Sequence, residues 1–243
     1  MRRLWFLVVA VLAVAGYAQG PWAKKDWKQW SNEDCKRILE ESPWASRWSR
    51  SDIKMANVAT RTSGTQGVGS EAETGVFYVV QLRSALPIRQ AVVRQALIAN
   101  KFDRLDAKQQ ESMLKQTEDF LDRKYDDVIV VHVIYGSNVQ EYNRDLAAFW
   151  QTHYPEGAVP QEALLHGPKG QKITPTRLLS PRGGAQEFEL IFPRLVEGEP
   201  LLGPHDKTLG VEFASPAVGS VSAARVFVEF KVDKMVVNGQ VAY

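Results

Sequence analysis

Residues Val128–Tyr135 read VIVVHVIY and carry the strongest β-strand signal in this chain of 243 residues. Apolar residues occupy both alternating faces, which is typical of a strand at the centre of a sheet that is covered on both sides. Val76–Leu82 has the same character, so we expect it to lie in the same sheet. His132 interrupts the central strand, and its place there predicts a buried, hydrogen-bonded histidine.

Helical patterns surround these two strands. Apolar residues recur at helical spacing over Ser84–Asn100 and again over Asp106–Tyr125, between the strands. A third pattern runs from Asn138, as its cap, to His153. This order of elements allows the two strands to be parallel neighbours joined by a right-handed crossover.

After Pro155 the pattern is that of strands. Ala163–His166 and Lys172–Leu179 flank a Gly-Pro-Lys-Gly turn, and the last long strand alternates, with Val226, Val228 and Phe230 inward. We predict one globular α+β domain, residues 76–243, in which three helices partly cover a mixed or antiparallel β-sheet. A β-sandwich with a helical insertion is the alternative.

The first 18 residues predict an export signal. Arg2 and Arg3 precede the apolar run Leu4–Ala15, and small residues then lead to cleavage between Ala18 and Gln19. The run is shorter than the roughly 20 residues that span a bilayer, so we expect no stable transmembrane anchor after cleavage. The predicted location is periplasmic or extracellular.

Charge narrows the range of partners. The chain has 30 Lys+Arg and 28 Asp+Glu, and the signal holds two of the arginines and no acid. The remaining chain therefore has 28 of each sign and is formally neutral. Nucleic-acid binding depends largely on neutralising phosphates with basic residues, so we exclude nucleic acid as a partner.

Residues 19–55 form a tryptophan-rich N-terminal arm with one short helix over Ser31–Glu41. Residues 56–75 are rich in Gly, Ser and Thr and predict a flexible linker after the arm. Indole rings combine a large apolar area with a hydrogen-bonding edge, so the arm either binds a protein or envelope partner or docks onto the domain. The candidates for partner binding are Trp27, Trp30, Trp44 and Trp48.

Known catalytic motifs are absent from the sequence. It has no Gly-x-Ser-x-Gly, His-Glu-x-x-His, Cys-x-x-Cys or phosphate-binding loop, so we predict no cofactor and favour a non-catalytic binding or envelope-associated protein. The alternative is a hydrolase or metal-dependent enzyme that uses His166, His205 and Asp206, whose side chains offer zinc ligands. Glu187 and Glu189 are an acid pair, predicted to form a solvated strand face. Cys35 is predicted to be a small buried residue.

Three segments resemble a family of small exported bacterial proteins of unknown activity. They are Ser42-Pro43-Trp44-Ala45, the helix entry Ser84-Ala85-Leu86-Pro87-Ile88-Arg89, and the strands from Asp206-Lys207 through Val211-Glu212-Phe213 to Phe230-Lys231-Val232-Asp233-Lys234-Met235. The resemblance implies an exported single-domain protein and supplies no activity, cofactor or catalytic residue.

We expect protein recovered from an exporting bacterial host to begin at Gln19, because signal peptidases cut after small residues such as Ala18. Intact mass spectrometry of the exported fraction measures this. Ala18→Trp should block the cut, and an exported wild-type chain that keeps residues 1–18 would contradict the prediction.

Overall fold

A computed structural model describes residues 20–52, 74–154, 158–180, 185–237 and 240–243. The predicted signal peptide and nearly all of the predicted linker lie outside these residues. None of the described helices is long and apolar enough to cross a bilayer.

The helices are α1 (Pro21–Lys24), α2 (Asn32–Glu40), α3 (Leu86–Ala99), α4 (Ala107–Asp122) and α5 (Gln140–Thr152). Two of them begin with the capping boxes that the sequence indicates. Ser31 and Asp34 exchange side-chain-to-backbone hydrogen bonds at the start of α2, and Asp106 and Gln109 do so at α4. At α5 the N-cap is Val139, and the predicted cap Asn138 instead accepts a hydrogen bond from the Gly75 amide.

The strands are β1 (Ala45–Asp52), β2 (Thr74–Leu82), β3 (Val128–Ser137), β4 (Leu164–His166), β5 (Lys172–Ile173), β6 (Arg177–Leu179), β7 (Glu187–Pro193), β8 (Leu195–Val196), β9 (Glu199–Pro200), β10 (Thr208–Ser215), β11 (Ala224–Lys231), β12 (Val236–Val237) and β13 (Gln240–Val241). They form a five-stranded sheet in the order β1-β2-β3-β7-β6 and a four-stranded sheet in the order β11-β10-β4-β5. Two small hairpins complete the set. The α+β class is confirmed, and the described strands form antiparallel sheets.

The first two strands of the sequence pattern do not form the parallel pair that their order allowed. β2 and β3 are neighbours, but they run antiparallel, with Tyr78 opposite Tyr135 and Leu82 opposite Val131. Two helices, α3 and α4, connect them and pack against each other. An antiparallel neighbour starts at the end of the sheet where the previous strand finished, and a pair of helices can return the chain to that end. A parallel neighbour would require the connection to cross to the opposite end of the sheet.

A cluster of aromatic rings joins the two sheets. Trp150 of α5 stacks on Phe188 of β7 with 4.1 Å between ring centroids, and Phe213 of β10 meets Tyr78 of β2 at 5.3 Å. The Tyr78 hydroxyl lies 2.9 Å from Ser215 Oγ, which places a hydrogen bond inside this core. All four rings are buried, so one side of the five-stranded sheet faces α5 and the four-stranded sheet.

The described part of the N-terminal arm belongs to the same core. Its residues form α2 and β1, and β1 is an edge strand of the five-stranded sheet. Trp30 and Trp44 are buried, and the Trp44 indole donates a hydrogen bond to the carbonyl of Ala242 at the other end of the chain. The core therefore includes residues that lie before Val76, where the sequence predicted the domain to begin.

We expect Trp44→Ala to lower the free energy of unfolding by about 3–5 kcal/mol, because a fully buried tryptophan leaves a large cavity. Chemical denaturation of the purified protein measures the loss. Trp27→Ala is the matched control, since Trp27 is partly exposed and should cost less. Equal losses for the two variants would contradict the packing described here.

Candidate functional site

The outer face of the four-stranded sheet carries a connected set of side chains. His166 of β4, Glu212 of β10, and Arg225 and Phe227 of β11 lie together on it, and we call these four residues the Phe227 surface. They point outward because their neighbours Leu165, Val211, Phe213, Val226 and Val228 point into the core, and side chains alternate along a strand.

Glu212 connects the charged members of this surface. One carboxylate oxygen lies 2.9 Å from His166 Nε2, and the other lies 2.9 Å from an Arg225 guanidinium nitrogen. The Glu212 side chain is 10% exposed and the Arg225 side chain is 77% exposed, so the network runs from a sheltered carboxylate to a solvated cation. Exposed ion pairs contribute little to stability, so we expect this pair to add little to the folding free energy.

Phe227 is exposed over 47% of its surface, and its ring packs against Gly210 and His166. The ring lies over Gly210 so closely that a Cβ there would come within 3.0 Å of it. It also meets the His166 ring edge-on, with 5.7 Å between centroids. A side chain larger than hydrogen at position 210 would displace this ring.

The imidazole of this surface is paired with a carboxylate. Within the described residues, the one hydrogen bond of the His166 side chain is with Glu212, and no hydroxyl or thiol bonds to the imidazole. Glu212 is placed to orient the imidazole of His166, as a carboxylate does in many catalytic sites. In those sites the imidazole also bonds to a nucleophile, and no such bond is present among the described residues. The surface also carries an exposed aromatic ring beside an arginine, and aromatic residues and arginines are enriched among the residues that dominate protein interfaces.

The structure does not assemble the predicted metal site. Asp206 accepts a hydrogen bond from the Gly203 amide at 2.7 Å in a surface turn, and His205 is exposed beside it. His166 is paired with Glu212. Across the described residues, no group of three or more His, Cys, Asp or Glu side chains is arranged to hold a metal ion. His166, His205 and Asp206 are therefore not brought together as ligands.

The predicted tryptophan candidates divide into two groups. Trp30 and Trp44 lie in the core, where Trp30 donates to the Lys25 carbonyl and Trp44 to that of Ala242, so neither can touch a partner of the folded protein. Trp27 and Trp48 are partly exposed, although the Trp48 ring packs against Tyr78 at 5.9 Å. Of the four candidates for partner binding, Trp27 and Trp48 are therefore the two that solvent can reach.

A second polar set lies on the five-stranded sheet, on the side opposite the aromatic core. His132 Nε2 is 3.3 Å from Glu187 and His132 Nδ1 is 3.4 Å from Glu189, while the histidine side chain is 4% exposed. Neither ring nitrogen makes a hydrogen bond of good geometry, so these are close polar contacts. The histidine is buried as predicted, but Glu187 and Glu189 are its partners and not simply a solvated face.

The pKa of the Glu189 carboxyl depends on the groups around it. Burial alone would raise the pKa of this carboxyl, but contact with His132 and the nearby charges of Arg83 and Arg123 outweigh burial and lower it. Burial lowers the pKa of Arg83, and the charges of Glu189 and Glu187 oppose that change. Cys35 contrasts with this set, because burial raises its thiol pKa to about 11 and keeps it protonated.

Sequence reasoning missed Phe227 and the pairing of His132 with Glu187 and Glu189. Phe227 had a visible signal, since it is an aromatic residue at an outward position of a strand whose alternation was clear. The His132 contacts had none, because they depend on β3 pairing with β7, with His132 opposite Glu189.

No protein-family model, curated protein or solved structure matches this chain. The resemblance of three short segments to a family of exported proteins therefore stays a prediction, and function has to be argued from the surface itself.

We expect Glu189→Gln to flatten the dependence of unfolding free energy on pH in the acid range. The lowered pKa means that ionised Glu189 stabilises the native state above its ordinary value of 4.5 and that this stabilisation is lost as the pH falls through the folded-state value. Urea denaturation across that range measures the slope. Glu199→Gln, on an exposed hairpin, is the control, and equal slopes for wild type and Glu189→Gln would refute the account.

Proposed function

We propose that this is an exported, non-catalytic protein that binds a protein partner through the Phe227 surface. The observation that carries the proposal is that Phe227 is half exposed while its ring packs against Gly210 and His166. Export rests on the N-terminal signal in the sequence, which makes a partner in the cell envelope or outside the cell the natural one.

Energetics favour such a surface for binding. Covering the exposed half of a phenylalanine contributes about 1 kcal/mol through burial of apolar area. Because contacts with Gly210 and His166 already limit the movement of the ring, less side-chain entropy is lost when a partner covers it. Arg225 adds a planar donor at the rim of the surface, and arginine and aromatic residues are both enriched at interfaces.

The Phe227 surface replaces the tryptophan-rich arm as the principal contact in this proposal. Trp30 and Trp44 contribute to the core, so a partner would have to unfold the arm to reach them. Phe227, Arg225 and His166 require no such change, since a partner can approach a rigid sheet directly.

A photo-crosslinking residue in place of Lys172 tests the proposal in cells that produce the protein. Lys172 is exposed and lies directly opposite His166, at the end of the sheet away from β11. We expect a discrete heterologous adduct, and Phe227→Ala should reduce it by roughly tenfold, as loss of a hot-spot residue does.

The control for this experiment is Leu86→Ala, which removes a side chain of similar exposure, 42%, from another part of the molecule. It should leave the adduct unchanged. Thermal unfolding must show that Phe227→Ala is still folded. An adduct that survives Phe227→Ala, or no adduct at Lys172, would refute the proposal.

A further inference from the structure

β11 leaves one long edge of the four-stranded sheet unpaired. It is the last strand in the order β11-β10-β4-β5, and no described strand continues the sheet beyond it. The opposite edge is β5, which has only two residues. Within the described residues no strand is hydrogen-bonded to this edge, although β1 of the other sheet lies close to β11. An edge of this kind presents backbone groups that can pair with another strand.

The hydrogen-bond pattern shows which residues of β11 face that edge. The Val232 amide donates to the Lys207 carbonyl at 2.8 Å, and bonded pairs alternate with non-bonded pairs along an antiparallel ladder. Val226, Val228 and Phe230 are therefore the residues bonded to β10. The backbone N–H and C=O groups of Arg225, Phe227, Glu229 and Lys231 point away from β10, towards the free edge.

Side chains on the outer face of β11 alternate in a pattern that complements itself. Arg225, Phe227, Glu229 and Lys231 follow one another at every second position. If a second copy pairs antiparallel with the centre at Phe227, Arg225 of each copy lies opposite Glu229 of the other and the two phenylalanines lie side by side. Opposite charges and aromatic pairs are the cross-strand combinations that stabilise a sheet.

Neighbouring registers lack this match. A centre at Val226 places Arg225 opposite Phe227 and makes no opposite-charge pair. A centre at Val228 places Arg225 opposite Lys231, and a centre at Glu229 places two Glu229 carboxylates against each other. Like charges directly opposite each other destabilise a strand pair. Charges on edge strands usually discourage pairing. A centre at Phe230 also makes two opposite-charge pairs, Glu229 with Lys231, but the centre at Phe227 combines two such pairs with facing aromatic rings on the outer face.

We propose that β11 pairs with β11 of a second copy of this chain, antiparallel and centred on Phe227. The two four-stranded sheets then form one continuous sheet of eight strands. This inference rests on the Phe227 surface, because the dimer places two such surfaces side by side and presents a partner with a doubled aromatic platform across the two-fold axis.

Charge reversal tests the pairing. Sedimentation of the protein recovered from producing cells should show a dimer, and Glu229→Arg should weaken it at least tenfold, since it places two pairs of arginines opposite each other. The double variant Arg225→Glu with Glu229→Arg should restore the dimer. Lys231→Glu is the matched control on the same face and should leave it intact, because Lys231 lies opposite Ala223 in this register.

Arg225 also contacts Glu212 within its own chain, so thermal unfolding of each variant must show that the fold is kept. A monomeric wild type, or a dimer indifferent to Glu229→Arg, would overturn the inference. If the protein is monomeric but its Lys172 adduct still depends on Phe227, the dimer is refuted and the proposed function stands. If the protein forms a dimer that Glu229→Arg weakens but gives no Lys172 adduct, the dimer stands and the proposed function is refuted.

Discussion

The stacking of Trp150 on Phe188, with Phe213 and Tyr78 packed around the same rings, is the contact on which the rest of the structure depends. These rings come from a helix and from both main sheets, so they set which side of each sheet faces the core. Rings of this size bury large apolar areas and pack with defined geometry, which leaves few alternatives for the strands that carry them. The arm adds Trp44 to the same core and binds the two ends of the described chain together.

The positions of the Phe227 surface and of the His132 contacts both follow from which side of each sheet faces the core. Phe213 points inward, so Glu212 points outward, and the inward residues Val226 and Val228 leave Phe227 between them on the outside. On the other sheet, inward Phe188 leaves Glu187 and Glu189 on the far side, opposite β3 and its His132. A shift of one residue in either register would bury the charges and expose the rings, so the surface and the core are specified together.

Much of the fold could be predicted from local pattern. The α+β class, the capping boxes at Ser31 and Asp106 and the alternation of the last strand all follow from side chains within a few residues of each other. Strand direction could not, because the same apolar run serves in parallel and antiparallel sheets. The arm was ambiguous for a similar reason, since a tryptophan suits a core and an interface equally well until its neighbours are known.

The sequence by itself determined the classes of element, the neutral charge of the chain after its predicted signal, and the residues available for chemistry. Only the tertiary structure decided that His166 pairs with Glu212, 46 residues away, and not with His205 or Asp206, and that Trp30 and Trp44 are core while Phe227 is surface. The physical reason is that hydrophobic period and capping act over one or two turns of chain. Strand pairing joins segments far apart in the sequence, and no local pattern records which segments will meet.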